Sequence, residues 1–451
     1  MNIKRIAMLL VLVMLCGSLS GCGEKQRKDD STEQQSVSYE GLMKQWQEQA
    51  TAESLTCWYT SETDKTWLEN AAKQFEKQYS VKVNLVYYDG VSIIEDINRE
   101  SQNGNGPDLY LLGNDQLQLV TESGMAEENA WFDDTFWKDT YPDVAKSAVT
   151  YKGKQYGYPV YFDTYCLVYD ANLLETAPAS IDDILAFLDA YEDTGSTKAV
   201  FRWDVADPYI NSMFIASYAN LFGDNGDDHS KFQVNNENCI AAMEYFQSLS
   251  AYLWMNKGNI SHDTIVNRIK DGTLVLGLCK SDILPTLYEM QMINENVTES
   301  TTEGDASEDG NMEDDATEEK KDTTNYQISY VPSLTAELSS TSFSTTHSAF
   351  VNPYGTDSAL GNMFALFLSV GFSDKLYEGN GNLPVVDQKD KFDEMQKVVY
   401  AQYLNSKPVP KVMILGDYLS ESGITFDAIW EGKDAKEQLD LLQQTMEEKL
   451  Y

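Results

Sequence analysis

Apolar residues recur with a changing period along this chain. Over Leu55-Thr-Cys-Trp-Tyr59 they run almost unbroken, as in a buried strand, and polar Thr60–Thr63 follows as a loop. Trp67, Leu68, Ala71, Ala72, Phe75 and Tyr79 then return at the three-and-four spacing of an amphipathic helix. Val81, Val83, Leu85 and Tyr87 alternate, which predicts a second strand. The order repeats with a weaker helix over Ser92–Gln102, a loop at Gly104–Pro107, a buried strand over Asp108–Leu112 and a helix over Gln116–Glu122 closed by Gly124. This alternation predicts an α/β fold on open, mostly parallel sheets, where ligands bind beyond the carboxyl ends of strands. Those ends are Tyr59–Ser61 and Gly113–Asp115.

Tyr151–Leu174 stands at the centre of the pattern. A turn with Gly153 at its tip leads through Tyr158-Pro159 into Tyr161–Asp170, rich in Tyr, Phe, Thr and Val as strands are. Proline rules out a central ladder position there and holds Tyr158 out of helix. Two strand-like runs joined by a stiff segment suit a crossover between two lobes; an antiparallel hairpin inside one domain suits the local chemistry equally. A second α/β unit follows. Helices are expected over Ser180–Leu188 (Ser180 as N-cap, Asp183 completing an approximate capping box), Asp207–Leu221, Asn236–Tyr252 and Asp263–Asp271. Ala199–Trp203 is an expected strand, and Thr273–Cys279 one buried on both faces. Beyond a helix at Ile283–Asn294 come a strand at Tyr326–Val331, a Ser/Thr-rich stretch to His347 and a strand at Ser348–Val351. Helices close the chain at Asp357–Leu368 and Phe392–Leu404, as a short one near Asp417 and over Asp434–Lys449.

The N-terminus sets the compartment. Lys4 and Arg5, the apolar run Ile6–Leu15 and the small residues Leu19-Ser20-Gly21 before Cys22 form a secretory signal too short to span a bilayer, and they resemble the lipobox of bacterial lipoproteins. Cleavage before Cys22 and a lipid on its sulfur follow, with the body anchored at the extracytoplasmic face of the cell membrane. Gly23–Ala50 reads as a polar tether, partly helical near Tyr39–Gln49, the tether segment as a whole being residues 22–53, and the folded body starts at Ser54. The chain carries a formal charge of −39, which loss of Lys4 and Arg5 makes more negative; nucleic acid is excluded as a partner. Cys57, Cys166, Cys239 and Cys279 show no metal spacing, so no metal and no cofactor are expected; buried free thiols or a Cys57–Cys279 bridge remain open. Glu299–Asp322, with eleven acids and two lysines, is expected to be a disordered insertion. Asp305, Ser307, Asp309 and Gly310 mimic the start of a calcium loop, but the twelfth position is Ala316.

From Leu55 to the C-terminus the ordered pieces resemble the extracellular solute-binding proteins of ABC importers, in the branch that includes maltose-binding protein. They are Leu55–Tyr59 with Phe75-Glu76 and Val81-Lys-Val83, Gly106-Pro-Asp-Leu109, Gly153–Leu174, Phe222-Gly-Asp-Asn-Gly226, Lys270-Asp-Gly272 and Leu383-Pro384. The resemblance implies a two-lobed periplasmic-binding-protein-like fold (type II), each lobe a mostly parallel sheet flanked by helices, joined by hinge strands. Residues 54–158 and 279–347 would form the first lobe, and 159–278 and 348–451 the second, with hinges at Tyr158–Thr164 and Leu274–Cys279. It further implies a monomeric binder, not an enzyme, that closes on a small solute, a sugar above all, and hands it to ABC permease subunits.

Ligand groups are carried over by position. The resemblance places them at Tyr59 and Ser61 after the first strand, at Asn114 and Asp115, at Asp163 in the hinge, and at Asp207 and Tyr209 in the second lobe; Trp203 is a candidate through the chemistry of its ring. Ser281 and Asp282, beside Lys280, stand where the family has an aromatic, and Tyr418 supplies a late ring. The early aromatic-plus-basic platform is replaced by Leu112 and Gln116. Carboxylates and amides suit hydroxyls, and a flat ring suits the apolar face of a pyranose. Trp58 and Trp254 are expected to pack. A cell-surface glycoside hydrolase, needing two carboxylates across a glycosidic bond, and a sensor lipoprotein signalling to a membrane partner are the competing readings.

Overall fold

The strands fall where the apolar runs require. The computed structural model describes residues 37–192, 198–255, 258–303, 324–388 and 390–450, without the side chains of 295–303. Nine strands build the main sheet: β1 (Ser54–Tyr59), β2 (Lys82–Tyr87), β3 (Leu109–Gly113), β4 (Tyr158–Asp170), β5 (Ala199–Arg202), β6 (Leu274–Lys280), β7 (Tyr326–Ser329), β8 (Phe343–Val351) and β9 (Lys407–Pro408). The hydrogen-bonded order is β2-β1-β3-β8-β4-β6-β5, with β7 added to β4 and β9 to β8. β1 is parallel to β2 and β3, and β5 to β6; β8 and β4 run antiparallel to their central neighbours. The α/β fold read from the sequence is the fold observed.

β4 is the crossover. Its first half pairs with β8 from Tyr158↔Ala349 to Thr164↔Ser344; its second half pairs with β6 and β7 from Tyr165 onward. Pro159 nevertheless lies inside a central strand, against expectation. It faces Ser348 where the register shifts, and a bulge of this kind relieves the demand for a ladder donor. Gly157 turns into β4 at φ +76°, where a side chain would meet the Phe350 ring and the Ala349 carbonyl.

Two expectations about boundaries are corrected by packing. The helix Tyr39–Gln49 is part of the body rather than of a tether, because Leu42, Met43 and Trp46 are buried and the Trp46 ring meets Trp131 and Tyr158 edge-on at 5.5 and 6.4 Å. Thr51 and Ala52 then donate their backbone N–H groups to Asp357 Oδ2. The second correction concerns both C-terminal lobe segments, 279–347 and 348–451. Phe364 and Phe367 pack on Phe75 at 5.0 and 5.2 Å, so the Ser358–Leu366 helix covers the β1–β3 half, whereas Tyr326–Ser329 joins the β5–β6 half. Helix Glu394–Leu404 lies beneath β4 and β7, with the Tyr403 ring stacked on Phe162 at 3.9 Å.

Several local expectations also change. Asp207–Leu221 is not one helix but Pro208–Asn211, a 3-10 turn at Ser212–Phe214 and a short strand at Asn220–Leu221. The Ser/Thr-rich stretch before His347 is the first half of β8, and the helix near Asp417 is long, Leu415–Trp430. Leu284–Glu303 extends beyond Asn294; the rest of the acidic insertion, Cys22 and most of the expected tether lie outside the described residues. Cys57, Cys166, Cys239 and Cys279 are free buried thiols, so the alternative bridge is not formed. Among the described residues no helix is long and apolar enough to cross a membrane.

Candidate ligand cleft at the strand crossing

Where β4 passes from β8 to β6, its side chains face a cavity of about 310 Å³. Asp163, Thr164 and Tyr165 come from β4, Phe343, Ser344, Thr345 and His347 from β8, and Lys280 from the end of β6. Asp115, just beyond β3, closes it from the β1–β3 half, and Tyr209 and Val409 from the other elements. The lining thus carries donors and acceptors from both halves, with Tyr209 as an aromatic ledge.

The polar groups are held by one another. His347 Nε2 lies 2.8 Å from Asp163 Oδ2, and its ring stacks on Tyr161 at 4.4 Å and 13°. The Tyr161 hydroxyl donates to Asp64 Oδ2 at 3.0 Å, and Asn380 Nδ2 to Asp64 Oδ1 at 2.9 Å. Burial opposes charge on both His347 and Asp163. The hydrogen bond and charge of the partner prevail, so the imidazole sits above its ordinary value of 6.5 and the carboxyl below 3.8. Asp64, which meets no cation among the described residues, is raised chiefly by burial. On the far side the Tyr165 hydroxyl donates to Asp207 Oδ2 at 2.9 Å, while Asp207 Oδ1 accepts the Tyr209 N–H and caps Pro208–Asn211. The Tyr209 hydroxyl is pushed up to about 12, first by burial and then by Asp115 and Asp207, and remains a donor.

Of the residues expected to bind ligand, Asp115, Asp163 and Tyr209 meet in this cleft and Asp207 stands directly behind. Others do not. Tyr59 is buried in the core against Tyr87, and Ser61 bonds Thr63. Asn114 is a buried strut, donating to the Val409 carbonyl and accepting from the Thr346 N–H. Trp203 is enclosed by Phe201, Phe214, Phe246 and Trp430 and donates Nε1–H to Asn211. Tyr418 is enclosed by Phe222 and Phe232, and Ser281 accepts from the Thr164 N–H. Asp282 is exposed and paired with His262 at 3.3 Å. Trp254, expected to pack, is 90 % exposed.

His347, Thr345, Tyr165 and Asp64 escaped the sequence reading. The signal was present in Phe343–His347: Thr is a strand former, and a polar strand needs a polar cavity or buried hydrogen bonds on each face. Among the described residues no His, Cys, Asp and Glu group is placed to hold a metal.

The profile of the family described as bacterial extracellular solute-binding protein matches residues 70–343. A maltooligosaccharide ABC transporter solute-binding lipoprotein of Streptococcus pneumoniae is 24% identical over 87% of this chain and 88% of its own length. A galactooligosaccharide-binding protein of Bacillus subtilis is 21% identical over 98% and 96%. The crystal structure of a cyclo/maltodextrin-binding protein complexed with maltotetraose superposes with a TM-score of 0.71 over 89% of this chain and 98% of that one, at 17% identity.

Proposed function

The chain belongs to the bacterial extracellular solute-binding protein family, and from that premise we propose that it captures an oligosaccharide in the cleft at the β4 crossing and delivers it to an ABC permease. The observation that carries this reading is the convergence of Asp115, Asp163, Tyr209, Lys280 and His347 on one cavity from both sides of the crossing strands. Carboxylate, imidazole and hydroxyl groups match the alternating donors and acceptors of a sugar ring, and Tyr209 offers the flat surface its C–H face needs. A ligand gripped from both sides is bound better by the closed arrangement, and that difference drives closure about β4 and β8. Relatives named for maltooligosaccharides and galactooligosaccharides support an oligosaccharide built of hexoses. The lipobox-like segment before Cys22, with relatives named as lipoproteins, supports anchorage at the extracytoplasmic face. We read the chain as a binder that makes and breaks no bonds, as its relatives' names also indicate.

The test is calorimetry and thermal unfolding against maltooligosaccharides and galactooligosaccharides. A ligand present at a thousandfold its Kd raises stability by about 4 kcal/mol. Tyr209→Ala and Asp163→Asn should each weaken the best sugar by about tenfold or more, a loss of one good contact. If no oligosaccharide binds, or both variants bind unchanged, this cleft is not the site.

A further inference from the structure

On the outer flank of the β5–β6 half, away from the cleft residues, a second cavity of about 210 Å³ is lined by Arg202, Trp254, Asn259, Ile260, Thr264, Ile265 and Arg268. Arg202 ends the edge strand β5, and Arg268 lies on the helix His262–Lys270 that packs on its neighbour β6. Every polar side chain in this lining is a donor or can donate, and none is acidic. That is unusual ground in a chain with 72 acids against 33 Lys and Arg. Among the described residues neither guanidinium meets a carboxylate; Arg202 spends one donor on the Phe201 carbonyl, and its charge is disfavoured first by burial and then by Arg268. Two like charges brought together without a counter-charge are unfavourable unless an anion joins them.

Trp254 points to the same conclusion independently. Leu253 and Met255 on either side are buried at 1 and 6 % exposure and pin this stretch to the core, while the indole between them is 90 % exposed. Its placement is fixed by its neighbours, and among the described residues no ring contact or hydrogen bond uses the indole. A flat ring beside two guanidinium forks is a wall for the body to which an anion is attached.

We propose that this pocket binds a phosphate group, carried either by a soluble organic phosphate or by a phospholipid headgroup. The Thr264 hydroxyl already donates to the Ser261 carbonyl at 2.8 Å, but two guanidinium forks with the Asn259 amide still offer more donors than the two oxygens of a carboxylate accept, whereas a phosphate has the oxygens to take them. The site is separate from the sugar cleft, so its occupancy and that of the cleft are measured independently.

The experiment titrates the full chain with inorganic phosphate, pyrophosphate and glycerol phosphate while following tryptophan fluorescence, and in a second arm measures its binding to vesicles of phosphatidylglycerol and of phosphatidylcholine. For a soluble ligand, saturable quenching is expected that disappears in Trp254→Phe and weakens about tenfold or more in Arg268→Gln and Arg202→Gln, since each fork contributes a charge-assisted contact. For a headgroup, the soluble phosphates give no response, and the preference for anionic over neutral vesicles falls in both arginine variants, the membrane affinity common to both lipids cancelling. Arg268 is on the surface, so Arg268→Gln retains the fold, which unaltered thermal unfolding verifies. Absence of both responses, or responses unchanged in Arg268→Gln, overturns the proposal.

Discussion

The two halves of β4 are built on opposite principles. From Tyr158 to Thr164 the strand is tied by side-chain hydrogen bonds: Tyr158 to Asn362, Tyr161 to Asp64, Asp163 to His347 and Thr164 to the Phe343 carbonyl. Beyond Tyr165, which still lines the cleft and donates to Asp207, Cys166 to Asp170 is a plain buried strand, with Cys166, Leu167 and Val168 inaccessible and one ion pair, Asp170 with Lys198 at 3.2 Å, near its end. Apolar packing resists displacement but has no direction, whereas hydrogen bonds fix where an atom points. The directional half floors the cleft. The other half supplies the stability that lets polar groups be spent there.

This contrast can be broken by experiment. Asp170→Ala strands the buried Lys198 ammonium and should lower stability by about 4 kcal/mol in denaturant unfolding, with sugar affinity retained. Leu167→Ala should lower it by about 3 kcal/mol, again without loss of affinity. A large drop in affinity from either change would show that the second half shapes the site after all. Asp64→Ala, which leaves the Tyr161 hydroxyl and the Asn380 amide without their acceptor, should lower stability by about 2 kcal/mol and also reduce affinity, because Tyr161 supports the His347 ring.

The smallest effect is a pH dependence. His347 is raised in the fold, so its contribution is complete below pH 6.5 and is lost as pH rises through the higher folded value. Asp163 is lowered, so its contribution is present above pH 3.8 and is lost as pH falls through the folded value. The pair therefore contributes most between these limits. His347→Gln should remove the decline on the alkaline side, and unfolding curves taken from pH 5 to 9 would reveal it.

The strands and helices of the β1–β3 half were legible because period alone identifies each apolar run there, although distant Phe364 and Phe367 complete the packing on Phe75. The cleft was only half legible. Asp115 follows a strand, where position in an α/β sheet already marks it, and Asp163 lies in the crossover segment next to Pro159. Trp203 and Tyr418 have the right chemistry for a sugar and the wrong surroundings. Phe246, Trp430 and Phe232 close over them from distant segments, which no local spacing announces. The polar half of β8 was lost for a different reason. Thr346 bonds Tyr403 at 2.9 Å and Ser344 bonds Ser406 at 2.7 Å, so its inward face is polar too and no hydrophobic alternation betrays the strand.

The Tyr39–Gln49 helix has a practical corollary for anyone cutting the gene. A start at Ser54 would uncover an aromatic seam around Trp131 and Tyr158 and strip two N–H groups from Asp357, giving a product prone to self-association. A start at or before Val37 keeps that seam sealed, and light scattering of the two truncations side by side is the means to tell them apart.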